Sequence, residues 1–154
     1  MGLDMYLSGK KYMSKYFDAE DTGRIAKVNE VFGIDGDEDS DYSATEVEFR
    51  LAYWRKANAI HKWFVDKCQD GVDECQETYL SRENLQELVD TCKQVLANMT
   101  LASSVLPSQN GFFFGGTDYD EYYKQDLEYT VKRLEKILND PALAKFEFYY
   151  QSSW

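Results

Sequence analysis

Residues 45–64 read TEVEFRLAYWRKANAIHKWF, and a change of period inside this stretch decides the fold. Val47, Phe49 and Leu51 alternate with Glu48 and Arg50, the two-residue repeat of a half-buried strand. From Tyr53 onward the apolar positions fall three and four apart, at Tyr53, Ala57, Ile60, Phe64 and then Cys68, the repeat of a helix with one covered face. A strand running directly into a helix places this chain among mixed folds.

On a helical wheel begun at Tyr53, with about 100° per residue, those five positions form the core stripe. Trp54, Asn58, His61 and Val65 follow on one flank, then Lys62 and Arg55, while Trp63 lies on the other flank. A packing helix needs its apolar stripe but not an Asn, a His and a Trp grouped where core meets solvent. Trp offers a flat face, Arg a planar fork for phosphate or carboxylate, and Asn a paired donor and acceptor for a base edge. The plainer reading has His61 and Asn58 hydrogen-bonded to nearby backbone and Trp54 covering the core edge.

Outward from this stretch, Leu3, Met5 and Leu7 alternate with Asp4 and Tyr6, predicting a strand over residues 2–8. In RIAKVNEVFGI, Ile25, Val28 and Phe32 suit a helical face, but the sample leaves strand and helix both open. Ser81 caps the strongest predicted helix, in which Leu85, Leu88, Val89, Cys92, Val95 and Leu96 keep helical spacing. A capping box from Asp118 to Glu121 opens another, with Tyr123, Leu127, Thr130, Val131, Leu134, Ile137 and Leu138 along one stripe. Asp140-Pro141 ends it, and FEFYYQSSW alternates as a closing strand. The expected fold is α+β: one domain over residues 1–154, with about three long helices packed on one face of a small antiparallel sheet.

The chain has 154 residues, 17 Lys and Arg, 28 Asp and Glu, and a net charge of −11. That field opposes DNA, RNA and anionic membrane surfaces, yet a few local cations in a sheltered pocket can still hold a small anion. No apolar run approaches the roughly 20 residues of a membrane helix. The N-terminus lacks the pattern of a signal peptide and three cysteines suit a reducing compartment, so a cytoplasmic protein is expected.

Residues 35–46 form an acidic surface loop. Counted from Asp35, the ligand positions of a calcium-binding EF-hand loop fall on Asp35, Asp37, Asp39, Asp41, Ser43 and Glu46, but Ser40 stands where the sharp turn wants Gly. Cys68, Cys75 and His61 lack the close Cys pairs of a structural zinc site. No metal and no cofactor is expected. There is no P-loop, nucleophile elbow, H-E-x-x-H or G-x-G-x-x-G motif, and a general-base role for His61, with Asp4 or a Tyr as partner, would lack an activated nucleophile. Phe113 and Phe114 cannot both face one core if extended, so one of them would cover a site beside Tyr119 or Tyr122.

GLDMYL (2–7), YWRKANAIHKWF (53–64), SRENLQELVDTC (81–92), FFFGG (112–116) and YDEYYKQDLEYT (119–130) together resemble a widespread family of small phage and bacterial proteins. That family is in turn similar to viral anti-CBASS sponge proteins, which bind a cyclic dinucleotide alarm signal of bacterial defence and hold it uncleaved. The resemblance implies a counter-defence protein of the infected host cytosol and a small anionic nucleotide as partner. The ligand set would be Tyr6, Trp54, Arg55, Asn58, His61, Lys62, Phe114, Tyr119 and Tyr123: rings to stack on bases, Arg55 and a Lys for phosphates, Asn58 and His61 for edges or ribose. A homodimer would cover surplus rings. The alternatives are an acidic inhibitor that mimics nucleic acid toward a host or defence protein, and a small-molecule enzyme using His61.

Overall fold

The computed structural model describes residues 2–36 and 42–154. Its elements run β1 (Asp4–Tyr12), α1 (Asp21–Phe32), β2 (Glu46–Arg55), α2 (Asn58–Cys68), β3 (Thr78–Leu80), α3 (Arg82–Ala97), α4 (Ala102–Val105), α5 (Glu121–Leu138) and β4 (Glu147–Ser153). The strands form one antiparallel sheet in the order β2-β1-β4-β3, with Tyr79 opposite Tyr149 in the β3–β4 register. The α+β class therefore holds, but the described residues carry five α-helices where about three were expected. RIAKVNEVFGI resolves as α1. Four-residue α4 lies in a segment whose Asn, Pro, Ser and Gly content predicts only irregular chain, and β3 is too short for its alternation to register.

The largest correction concerns the quoted stretch. β2 continues through Arg55, and α2 begins only at Asn58, so Tyr53, Trp54 and Arg55 are strand residues and the wheel that grouped Trp54 and Arg55 with Asn58 and His61 does not apply. Trp54 follows the two-residue alternation with Ala52 on the buried face, while Tyr53 and Arg55 are exposed. Lys56 makes the break: its φ of 59° is left-handed, its amide donates to the Leu3 carbonyl at 2.8 Å and its carbonyl accepts from the Asn58 amide at 2.8 Å. A non-glycine residue in that region is held by its surroundings against a cost of roughly 1 kcal/mol or more.

The chain divides into two compact units, Met1–Gly9 with Arg50–Trp154, and Lys10–Phe49. In the first, Leu3, Met5, Leu7, Trp54, Ile60 and Phe64 from the β1–β2–α2 segment are buried with Leu85, Leu88 and Val95 of α3, Leu127 and Leu134 of α5, and Phe148 and Tyr150 of β4. Ser81 caps α3 as predicted, through a reciprocal box with Asn84. Asp120, rather than Asp118, caps α5 by accepting from the Tyr123 amide at 3.1 Å. Past α5, Asp140 accepts from the Ala142 amide and starts a short 3-10 turn at Pro141.

In the second unit the buried described residues are Lys11, Met13, Asp21 and Asn29. Asp21 accepts from Lys11 Nζ (3.1 Å), the Ser14 amide (2.9 Å) and Arg24 (2.8 Å). Asn29 donates to Ser43 Oγ and accepts from the Ala44 amide, each at 2.9 Å. Gly33, at φ 68°, closes α1 in the left-handed conformation that glycine adopts without penalty. The calcium reading rests in part on Asp37, Asp39 and Asp41, which, with the rest of residues 37–41 of the acidic loop, lie outside the described residues. Among the described residues no cluster of His, Cys, Asp and Glu could hold a metal ion, and no helix is long and apolar enough to cross a membrane.

Candidate functional site

Asn58 is the first residue of α2, yet its side chain caps nothing. It donates from Nδ2 to the carbonyls of Phe114 (3.0 Å) and Gly116 (2.8 Å), and its Oδ1 accepts from the Gln109 amide at 2.9 Å. One buried amide thus fixes both ends of the 109–116 loop through both of its N–H donors and its carbonyl oxygen. The loop turns at Gly111, where the Phe114 amide donates back to the Gly111 carbonyl, so FFFGG is a turn rather than an extended segment. That is why its three rings separate: Phe112 is 95% exposed, Phe113 half-buried and Phe114 buried.

The plainer reading of His61 is the observed one in outline, with side-chain partners in place of backbone. The ring is buried, with Nε2 2.9 Å from Asp73 and Nδ1 2.7 Å from the Tyr150 hydroxyl. An ionised carboxylate only accepts, so Nε2 carries a proton and, in the neutral ring, Nδ1 accepts from Tyr150. Burial and the Asp73 charge push the Tyr150 hydroxyl well above its ordinary pKa. Asp73 also accepts from Trp154 Nε1 at 3.1 Å, and Phe114 stands edge-on to the imidazole at 5.2 Å. His61 thus has a Tyr partner but not Asp4, which is held by Arg55 at 3.0 Å and by the Tyr53 hydroxyl.

Trp54 is 3% exposed and donates from Nε1 to Thr130 Oγ1 at 2.9 Å, Thr130 in turn donating to the Asp126 carbonyl at 2.7 Å. It ties β2 to α5 and offers no free face. Lys62 points outward in an exposed ion pair with Asp66. Tyr6 sits beside Tyr53 (5.5 Å between centroids) with the Arg50 guanidinium 4.4 Å over its ring. Tyr119 packs edge-on to Tyr123 at 5.0 Å and accepts from the Ser108 amide, and Tyr123, buried, donates to the Leu106 carbonyl.

A cavity of about 300 Å³ lies where the start of α2 meets the start of α5. Of the nine predicted residues it brings together Arg55, Asn58 and Tyr123. The other six are elsewhere, in the core (Trp54, His61, Phe114), in the Tyr6–Tyr53–Arg50 cluster, or outside the lining (Lys62, Tyr119). Lys56, Asp118, Asp120 and Asp126 also line the wall and were missed, while Tyr122, expected only as a neighbour of a site, lines it too. Lys56 gave no signal, because the helical spacing read from Tyr53 runs straight through it. The aspartates crowd the first turns of a predicted helix, where they are ordinarily read as capping.

Two cations and three carboxylates face this cavity. The Lys56 stem lies against Gly115, at φ 84°, where an added Cβ would come within 3.3 Å of Lys56 Cβ, so the glycine both makes the turn and leaves room for the lysine. Desolvation, with a lesser contribution from Asp120, pushes the Asp126 carboxyl up to about 6. Both helix N-termini add partial positive charge. The arrangement can receive an anionic group beside Arg55 and Lys56 and hydrogen-bond donors beside the aspartates. No family model, curated protein or solved structure matches the chain.

Proposed function

We propose that this protein binds a small nucleotide and holds it uncleaved, in the manner of the cyclic-dinucleotide sponges its motifs resemble. The observation that carries the reading is the division of charge in the α2–α5 cavity. A nucleotide presents phosphate oxygens at one end and amino, imino and hydroxyl donors at the other, which is the complement of Arg55 and Lys56 against Asp118, Asp120 and Asp126. Tyr122, 78% exposed at the mouth, is placed to stack on a base. The volume lies at the lower end of small-molecule sites, so one half of a cyclic dinucleotide would enter and the other would lie over Tyr122.

Titration calorimetry with cyclic dinucleotides and the corresponding mononucleotides, followed by heat release and chromatography of the ligand, tests this. Intact ligand recovered at one equivalent or fewer per chain, with binding at least tenfold weaker in Lys56→Gln, is expected. Absence of binding across the panel, or recovery of cleaved products alone, overturns it.

A further inference from the structure

Away from Arg55 and Lys56, the α2–α5 cavity is lined by three α5 side chains that lie within about one helical turn: Tyr122, Gln125 and Asp126. At about 100° per residue, Gln125 falls roughly 60° to one side of Tyr122 and Asp126 roughly 40° to the other. Helical side chains lean toward the N-terminus, so both polar groups reach back over the turn that carries the ring. A flat base stacked on Tyr122 therefore has its edge between them. Neither Gln125 nor Asp126 has a side-chain hydrogen bond or an ion pair with any described residue. Two polar groups without partners, flanking an exposed ring in a cavity, are free to read a ligand.

The hydrogen-bonding pattern of the two groups decides which base. The Gln125 amide sets one donor beside one acceptor, and Asp126 does the same when it carries a proton. Its surroundings favour that form: the carboxyl is half-buried, Asp120 is a like charge nearby, and no cation or amide of the described residues is bonded to it. The carboxyl is accordingly pushed up to about 6, so near neutrality the proton is gained at small cost. Adenine presents a donor beside an acceptor on two adjacent edges, N6–H with N7 and N6–H with N1, its amino group supplying both hydrogens. Guanine N7 and O6 are both acceptors; cytosine has the mixed pair on one edge only, and uracil has a single N3–H for both of its carbonyls. We infer that the cavity selects adenine, Gln125 and Asp126 each reading one of those two edges while Tyr122 stacks on the ring. The inference rests on the nucleotide reading of this cavity and adds the identity of the base. Arg55 and Lys56, at the start of α2, are left for phosphate.

The test is titration calorimetry of the full chain at neutral pH with AMP, GMP, CMP and UMP, and with cyclic di-AMP against cyclic di-GMP. Adenine ligands should bind about tenfold or more tightly than guanine or pyrimidine ligands of the same phosphate charge. Gln125→Glu, which leaves only acceptors, and Asp126→Ala should each reduce that preference to about threefold or less. Asp126→Asn, whose amide keeps a donor beside an acceptor, should retain it. The quantity read is the ratio between bases, so a general change of charge or stability in a variant cancels. Nucleotides bound without base preference, a preference for another base, or a loss of preference in Asp126→Asn as complete as in Asp126→Ala overturns this inference and leaves the nucleotide reading standing. Failure of every one of these ligands to bind overturns both.

Discussion

Two buried asparagines show how differently the two units are built. Asn58 and Asn29 each use both ends of the amide to hold a neighbouring segment. Asn58 does so beside a core of Leu, Ile, Phe and Trp side chains, where the apolar burial is already large and the amide sets the shape of a loop. Asn29 belongs to a unit whose other buried described residues are Lys11, Met13 and Asp21. The first unit is held by removal of apolar surface from water, which is insensitive to charge; the buried groups of the second are held by hydrogen bonds, of which those to Asp21 are charge-assisted and respond to pH and salt.

The sharpest way to break that contrast is to cut the first core. Trp54→Ala removes a buried ring and its bond to Thr130, and should cost about 3–5 kcal/mol in chemical denaturation. At a temperature where the variant remains folded, its nucleotide affinity should stay within about threefold of the wild type. A complete loss of binding by the folded variant would return Trp54 to the role of stacking platform that its sequence position suggested.

Asn58→Ala comes next. It leaves the Phe114 and Gly116 carbonyls and the Gln109 amide without their partner, and unmade bonds of this kind cost about 2 kcal/mol in sum when partly reached by water. The denaturation midpoint should fall accordingly, and hydrogen exchange should quicken at Gln109 before it does in α3. Loss of protection spread evenly over the first unit would mean that the amide supports the whole core rather than one loop.

Most of the fold was legible because its periods are long: α3, α5, β1 and β4 each sustain their repeat over several turns or alternations. The site was less so, and the reason lies in three residues. Between the strand ending at Arg55 and the helix starting at Asn58 there is one left-handed lysine, and no periodic argument detects a single residue in that conformation. Placing the helix start at Tyr53 turned a strand's buried Trp54 into a helix flank and hid Lys56 from view. His61 was visible as unusual, but its partners Asp73 and Tyr150 lie 12 and 89 residues away, and such pairing is set by tertiary packing alone. The aspartates of the cavity escaped because one of them, Asp120, does cap α5, and capping alone accounts for acids there.

Acid should separate the units in opposite directions. The Asp126 carboxyl, raised to about 6 by desolvation and Asp120, binds its proton more tightly in the native state than in the unfolded chain. Its contribution is therefore present below the unfolded value of about 3.9 and is lost as pH rises through about 6. Burial pulls Asp21 the same way, but the Ser14 amide, Arg24 and Lys11 outweigh it and the net shift is downward. That contribution is present above the ordinary carboxylate range and is lost as pH falls through the lowered value, below about 4. Hydrogen exchange corrected for intrinsic rates should show the first unit slightly tighter at pH 5 than at pH 7, and the second unit loosening only below pH 4. Asp126→Asn should flatten the first trend and leave the second. A cyclic dinucleotide, whose phosphodiesters keep their charge over this range, should also bind more tightly at pH 5.5 than at pH 7.5 in the wild type, because protonation of Asp126 removes one negative charge from the cavity.

The smallest effect is the most discriminating. Phe17→Ser should change stability by no more than about 0.5 kcal/mol, because a ring that is 88% exposed leaves almost no buried surface behind when removed. The same substitution at Phe64, fully buried against Tyr150 at a 4.0 Å ring separation, would cost several kcal/mol. Exposed side chains of this kind are ordinary on protein surfaces and carry little of the folding free energy. If Phe17→Ser instead lowers the denaturation midpoint as a core substitution does, the ring is covered in solution by the protein itself, and the contrast between an apolar first unit and a polar second one fails at that point.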